Sequence, residues 1–173
     1  MPLPTQYQNF IHLNKYGRWI DDKGRRETWD ETVYRYISFW KKRFPVVDPS
    51  GETWRELFEI IVGLQVMPSM RALMTAGPAL DTDNAAGYNC SFIAPKCFQD
   101  FGEIMYISMC GAGVGWSVES ENIQALPQIK KQTGKVLPTY IIPDSKEGWA
   151  DAFVLGLKTW FDGNDISFDY SLI

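Results

Sequence analysis

A single thiol followed by a glycine-dense turn gives this sequence its clearest capacity for chemistry. Cys90 stands in a Tyr-Asn-Cys-Ser-Phe segment at 88–92, and a Gly-Ala-Gly-Val-Gly-Trp-Ser segment follows at 111–117. A thiol offers nucleophilic or redox chemistry. Glycines let the backbone approach a ligand closely, with N–H groups available to anionic or hydroxyl oxygens. The residue types alone leave two interpretations open: a reaction site, or a tight turn beside a buried cysteine.

Several other kinds of site are excluded by composition. The three cysteines form no C-x-x-C pair and are odd in number, which argues against a disulfide framework. His12 is the sole histidine, so the usual Cys/His zinc spacing is absent, and we expect His12 to be a surface or helix-cap residue. A net charge of -4 argues against a nucleic-acid partner.

The sequence also shows no targeting or membrane signal. It contains no run of about eighteen apolar residues, which a membrane-spanning helix would need. The amino-terminal residues have no basic stretch followed by an apolar one, so we expect no secretory signal. A cytoplasmic location is the resulting expectation.

Helices are predicted for the first part of the chain. Thr28, with Glu31 three residues later, is typical of a capping box, and apolar residues then recur at helical spacing until Pro45. A second apolar stripe covers 54–64. We interpret both stripes as helix faces that build the core of a helical domain over residues 1–67.

A parallel βαβ unit is predicted farther along. Residues 88–93 indicate a buried strand, 98–110 a helix that ends at Gly111, and 114–118 a second strand. A strand, helix and strand within roughly thirty residues imply parallel pairing. Here the glycines follow a helix and open a strand, the reverse of a dinucleotide-binding fold, and no G-K-[ST] of a P-loop is present.

The rest of the chain, from 122 onward, is also predicted to alternate between strands and helices. The polar stretch 122–138 is predicted to be a loop with solvated lysines, and 139–142 a strand. A helix should begin near 144–147 and break at Gly163, before strand-like alternation resumes at Ile166. A few parallel strands would leave open edges, which parallel sheets normally cover and complete.

Several segments together resemble the amino-terminal portion of class II, adenosylcobalamin-dependent ribonucleotide reductases. They follow in that family's order: 16–19 with 23–33, 68–74, 89–91, 111–119 and 143–149. The resemblance implies an α/β fold. A helical domain over 1–67 would precede, over 68–173, the first strands of a ten-stranded α/β barrel that is incomplete in this chain.

The resemblance also implies a site. Cys90 would be one of the two reducing cysteines, which end as a disulfide after a thiyl radical has taken the ribose 3′-hydrogen and the 2′-hydroxyl has left. Hydroxyls and backbone amides would hold the ribose and its di- or triphosphate. The residues that match substrate-pocket positions are Ser69, Asn89, Ser91, Ala112 and Gly113. Asp100 is a candidate for the effector site, and we expect Cys97 and Cys110 to be structural.

Further motifs of the family are missing from this sequence, including the radical cysteine and the second reducing cysteine. The resemblance therefore implies a complementary chain, with adenosylcobalamin bound mostly outside this one. It also implies a thioredoxin-type reductant and a dNTP or ATP effector. The stretch 122–138 is short beside the insertion of monomeric class II enzymes, which favours a dimer. Two functions stay open: a separately encoded reductase subunit, or a non-catalytic remnant or stand-alone nucleotide-binding module.

Overall fold

The computed structural model describes residues 3–173, which form two compact units that divide between Tyr88 and Asn89. Residues 1 and 2, the start of the segment predicted to lack a secretory signal, lie outside the described residues. Within the described part, no helix has the length and apolar character needed to span a membrane.

The first unit is mainly helical. Its elements in chain order are α1 (Gln6–Lys15), β1 (Trp19–Ile20), β2 (Arg25–Arg26), α2 (Trp29–Arg43), α3 (Glu52–Val62), α4 (Met70–Thr75) and α5 (Pro78–Thr82). The two short strands pair antiparallel, through a turn that ends at Gly24. Neither α1 nor this hairpin was predicted individually from the sequence.

The two predicted amphipathic helices are confirmed as α2 and α3. At the start of α2, the Glu31 amide donates to Thr28 Oγ1 (3.4 Å) and the Thr28 amide donates to Glu31 Oε2 (2.8 Å), so the predicted capping box forms. The helix ends one residue before Phe44, ahead of Pro45, which cannot continue it. The buried side chains of the core that α2 and α3 share are Trp29, Val33, Ile37, Ile61, Val62 and Leu73.

The first unit extends beyond residue 67, where the sequence placed the boundary. Leu73 of α4 belongs to the same core as α2 and α3. Phe39 of α2 packs in a second buried cluster with Ala76 and Leu80, which lie in and beside α4 and α5. Because these short helices bury their apolar side chains against α2, the compact unit runs to Tyr88.

The prediction for His12 was wrong. Its side chain is 3% exposed, its Nε2 lies 2.8 Å from Thr32 Oγ1, and its ring meets Trp29 edge-on at 5.6 Å. The reason is tertiary: α1, which begins with a capping box at Thr5, packs against α2 and turns His12 inward. Burial lowers the pKa of His12 below its ordinary value, although the nearby Glu27 carboxylate acts to raise it.

The second unit alternates strands and helices. Its elements are β3 (Cys90–Ile93), α6 (Phe98–Met109), β4 (Gly113–Trp116), α7 (Ser120–Ala125), β5 (Val136–Ile141), α8 (Lys146–Phe161) and β6 (Asp165–Asp169). β3 pairs with β4 and β5 with β6, both in parallel, so the predicted βαβ unit is confirmed. The second unit contains two separate parallel strand pairs, and the ten-stranded barrel stays a prediction.

The sequence predicts a loop over the whole stretch 122–138, but the structure forms parts of two elements there. Its first residues belong to α7, and β5 already begins at Val136. The strand predicted from the sequence begins only at 139. Pro138 lacks an N–H, and a proline weakens the pattern by which a strand is recognised. The pairing of β5 with β6 accommodates the proline at a register shift between Leu137 and Tyr140.

Two helices, α6 and α8, pack closely in this unit. A Cβ on Gly102 would lie 2.6 Å from Val154 Cγ2, so the absence of a side chain permits the approach. The rings of Phe98 and Phe161 meet edge-on, 5.0 Å between centroids, at the same contact between helices. As predicted, α8 breaks at Gly163, which has a positive φ of 79°.

The strand predicted over 88–93 is present but not buried. The side chain of Phe92 is 66% exposed and Cys90 is also exposed. A continuous apolar run is typical of a strand that is covered on both faces of its sheet. Here the sheet has only two strands, so α6 can cover one face while the other face stays exposed.

Candidate functional site

Cys90 opens β3, and its neighbours across the sheet are glycines. Cys90 pairs with Gly113 and Phe92 with Gly115 in the parallel register of β3 and β4. Because side chains alternate along a strand and paired residues share a face, these four residues lie on one side of the sheet. A Cβ on Gly113 would come no closer than 3.7 Å to the Asn89 carbonyl oxygen, and one on Gly115 would be 3.4 Å from the Phe92 ring. We call this surface the open face; no side chain of β4 covers the Cys90 thiol there.

The opposite face carries Ser91, Ile93 and Val114, which are half-buried, and α6 packs beside these strands. The Ser91 hydroxyl lies 3.5 Å from the Gly113 carbonyl oxygen, to which it donates a weak hydrogen bond. Strand alternation therefore separates Ser91 from Cys90 on the sheet, although the two residues are adjacent in sequence.

The glycine turn closes a helix rather than presenting free amides. Gly111 has a φ of 89°, its amide donates to the Ser108 carbonyl (2.9 Å), and the Ala112 amide donates to the Ile107 carbonyl (3.3 Å). These two bonds are those of a Schellman motif at the end of α6. The Gly113 amide donates to the Asn89 carbonyl at 2.9 Å. The expectation that these N–H groups stand available for ligand oxygens was wrong, because the helix end and the strand pairing use them.

Asp100 holds the beginning of α6. Its Oδ2 accepts hydrogen bonds from the amides of Lys96 (2.6 Å) and Cys97 (2.9 Å), the residue before the helix. These bonds, that from Lys96 foremost, lower the pKa of Asp100. The carboxylate thus serves as a helix cap, and its role in effector binding stays a prediction.

The two other cysteines lie at the two ends of α6. Cys97 is the residue before the helix and takes part in its capping box. Cys110 follows the helix, and its Sγ accepts a hydrogen bond from Lys146 Nζ at 3.2 Å. The same ammonium group stands 5.2 Å from the centre of the Tyr106 ring. Both positions agree with the structural roles expected for these residues.

Ser69 belongs to the first unit, where it is the N-cap of α4. Its Oγ accepts a hydrogen bond from the Ala72 amide at 3.3 Å, and the side chain is otherwise exposed. The other predicted pocket residues, Asn89, Ser91, Ala112 and Gly113, meet around the pairing of β3 with β4. Ala112 is buried, at 4% exposure. Phe92 and Gly115 lie beside Cys90 and Gly113 on the open face, as the two-residue period of a strand could have indicated.

Residues 3–173 contain no group of three or more His, Cys, Asp or Glu side chains that could hold a metal ion. His12 is engaged by Thr32 in the core of the first unit.

Comparison with known proteins points to one class of enzyme. No family model matches the sequence. An adenosylcobalamin-dependent ribonucleoside-triphosphate reductase of Lactobacillus gasseri is 32% identical over 188 residues, which cover 90% of this chain. The chain is homologous to adenosylcobalamin-dependent ribonucleotide reductases. A reductase of the same name from Euglena gracilis is 28% identical and covers 94% of this chain.

The fold agrees with this homology. A crystal structure of a B12-dependent class II ribonucleotide reductase superposes with a TM-score of 0.80, covering 95% of this chain and 32% of that one at 23% identity. The resemblance drawn from the sequence motifs is thereby confirmed. The chain spans about a quarter of the length of these curated ribonucleotide reductases, 25% for both the Lactobacillus gasseri and the Euglena gracilis protein.

Proposed function

We propose that this chain is the amino-terminal part of a ribonucleotide reductase, which converts ribonucleotides to 2′-deoxyribonucleotides for DNA synthesis. The observation that carries the proposal is the exposed Cys90 thiol on the open face, in a chain 32% identical to such a reductase over 90% of its length. The relatives are named as triphosphate reductases, which favours a ribonucleoside triphosphate over a diphosphate as the substrate.

The proposed role of Cys90 follows from the chemistry of the reduction. Replacing the ribose 2′-hydroxyl by hydrogen and releasing it as water requires two electrons and two protons. Two thiols supply both when they become a disulfide. Cys90 is one of these thiols in our proposal. The second thiol, and the cysteine whose thiyl radical takes the 3′-hydrogen, belong to protein outside this sequence.

The open face suits this role sterically. Gly113 and Gly115 leave the surface beside Cys90 without side chains, so a ribose could approach the sulfur atom. The amides of Ala112 and Gly113 are engaged within the chain. We therefore propose that these two residues contribute shape to the site around Cys90, and that Asn89 contributes side-chain hydrogen bonds there. For Ser69, in the first unit, we propose a hydrogen bond from its hydroxyl to the ribonucleotide. Ser91 supports the strand from its other face.

Adenosylcobalamin is the cofactor that the proposed reduction implies. We propose that this cofactor, on which the homologous reductases depend by name, binds mostly to protein outside this chain. No step assigned here to Cys90 involves it.

A complementary chain is the main partner in this proposal. The strand pairs β3–β4 and β5–β6 have open edges, and large apolar side chains stand exposed beside them, including Phe92, Trp116 and Val118. Further strands of a barrel would cover such groups. A thioredoxin-type reductant, a dNTP or ATP effector, a dimer and a cytoplasmic location complete the proposal.

Co-expression tests the proposed function. The chain would be produced with the product of the reading frame that follows it and assayed for ribonucleotide reduction with adenosylcobalamin. Activity that requires both chains supports the proposal. Co-purification without reduction would count against the cofactor class. If neither association nor activity were found, the chain would be a remnant or a nucleotide-binding module without catalysis.

A further inference from the structure

Two arginines bind the carboxyl end of the short helix α4. Arg35 NH1 donates to the carbonyl oxygens of Leu73 (3.1 Å) and Ala76 (2.7 Å). Arg18 NH2 donates to those of Met74 and Thr75, each at 3.3 Å. The last carbonyls of a helix have no partner within it. Here four successive carbonyls, 73 to 76, all receive guanidinium donors, whose positive charge also opposes the negative end of the helix dipole.

A buried carboxylate fixes the direction of one arginine. Arg35 Nε donates to Glu27 Oε1 (2.9 Å) and its NH2 donates to Oε2 (3.0 Å), a two-pronged pair in which the side chains are only 14% and 9% exposed. Glu27 Oε2 also accepts from the Thr32 hydroxyl (2.9 Å) and the Arg18 amide (3.1 Å). The fork with Glu27 leaves NH1 of Arg35 free to reach α4, which the single ammonium group of a lysine could not reproduce.

The helix needs this support because it is short. Six residues, Met70–Thr75, are too few for a helix to persist by its own hydrogen bonds. At its carboxyl end α4 is tied to the arginines, and in the middle Leu73 is buried at 2% exposure. At its amino end Ser69 is exposed and bonded to the Ala72 amide. The position of the Ser69 hydroxyl is therefore set by a helix that is anchored at its far end.

We propose that Arg35 and Arg18 are positioning residues, which place Ser69 for contact with the ribonucleotide by holding α4. The inference rests on the proposed function for the identity of the ligand. The ordering of α4 up to Ser69 by the guanidinium groups does not depend on that function. Neither arginine touches the substrate in this proposal.

Two lysine variants test the inference in the full chain. Arg35→Lys and Arg18→Lys keep the positive charge and remove the guanidinium group that bonds the α4 carbonyls, while Arg55→Lys, at an exposed position of α3, is the matched control. Amide hydrogen exchange at Ala72 and Leu73, which donate to Ser69 Oγ and to its carbonyl, reports the order of α4. We expect exchange there to accelerate about tenfold or more in both variants, with the core amides of α2 and the control unchanged.

The assembled reductase gives the second readout. We expect Arg35→Lys to raise KM for the ribonucleotide roughly tenfold, well below the effect of a gross misplacement, while kcat stays within about twofold. In a Ser69→Ala background the same substitution should leave KM unchanged, because an arginine that acts through Ser69 has nothing left to position.

Both the hydrogen-exchange measurement and the KM measurement have an outcome that would contradict the proposed role of the arginines. Unchanged exchange at Ala72 and Leu73 in both variants would show that the arginines do not order α4. An equal rise in KM with and without the Ser69 hydroxyl would show that they act elsewhere. A wild-type complex that orders α4 but reduces no ribonucleotide would contradict the proposed function and leave the structural role of the arginines intact.

Discussion

Cys90 and Gly113 lie directly opposite each other in the parallel pair of β3 and β4, twenty-three positions apart in sequence. The Schellman motif at Gly111 reverses the chain after α6 and delivers Gly113 to this place. The Cys90 thiol consequently faces a strand position without a side chain. The glycine turn acts on the site through the geometry of the sheet, and its amides are occupied in building that geometry.

Replacing the Cys90 thiol should abolish reduction without affecting assembly. Cys90→Ser keeps the size of the exposed side chain and removes its capacity to form a disulfide. Cys97→Ser is the matched control, because a serine suits the N-cap position before α6 and should leave turnover intact. Product formation and co-purification with the complementary chain are the measurements. A normal rate of dNTP formation by Cys90→Ser would remove this residue from the mechanism.

Replacing a glycine by alanine should affect stability differently on the open face and in the packed interior. A Cβ on Gly148 would stand 2.5 Å from the Pro143 carbonyl oxygen, whereas one on Gly113 meets nothing closer than 3.7 Å. We expect Gly148→Ala to lower the free energy of unfolding by about 1–3 kcal/mol through overpacking, and Gly113→Ala to change it by less than about 0.5 kcal/mol. Urea unfolding of both variants checks this.

The same Gly113→Ala variant carries a functional prediction. A methyl group opposite Cys90 narrows the open face, so ribonucleotide reduction should fall although the protein stays folded. Full activity of Gly113→Ala in the assembled reductase would show that the substrate does not use this side of the sheet.

Breaking the buried ion pair of the first unit should be costly. Arg35→Met leaves the Glu27 carboxylate buried without its cation, which typically destabilises a protein by about 3–5 kcal/mol. Lys130→Met removes one partner of an exposed pair, Lys130–Asp162, at 68% and 43% exposure, and should lower the free energy of unfolding far less, because solvent screens the two charges. Comparable losses in the two variants, measured by chemical denaturation, would contradict the role assigned to the buried pair.

Stability should decline in mild acid because of His12. Burial lowers its pKa in the folded protein, so below the ordinary value of 6.5 the unfolded chain binds a proton that the folded one resists. The contribution of neutral His12 to the free energy of unfolding is therefore fully present at neutral pH and is lost as the pH falls through 6.5. His12→Gln retains a hydrogen-bonding side chain beside Thr32 without titrating in this range. Its unfolding free energy should change less between pH 7.5 and 5.5 than that of the unmodified chain.

Glu27 contributes in the same direction at lower pH. Burial by itself raises the pKa of Glu27, but the hydrogen bonds from Arg35, the Arg18 amide and Thr32 outweigh it and lower the pKa overall. A lowered carboxyl pKa stabilises the fold above the ordinary value of 4.5, and this stability is lost as pH falls below it. The effect of His12 thus begins at a higher pH than that of Glu27, which allows the two to be distinguished.

The sequence by itself determined the elements whose signals are local. The capping box at Thr28, the apolar period of α2, and the helix stop at Gly111 depend on neighbours within a few residues, and all three are confirmed. The order of strand, helix and strand likewise fixed the parallel pairing of β3 with β4, because few connections allow it. The resemblance to the homologous reductases depends in the same way on short segments in a fixed order, from 16–19 to 143–149.

Tertiary structure decided what depends on distant contacts. The burial of His12 follows from the packing of α1 on α2, and the anchoring of α4 from Arg18 and Arg35, more than thirty residues earlier in the chain. The engagement of the Ala112 and Gly113 amides could not be predicted, since the same glycines serve equally well in an anion site or a helix end. A local pattern specifies which conformations a backbone can adopt, and only the folded chain specifies which partner each donor meets.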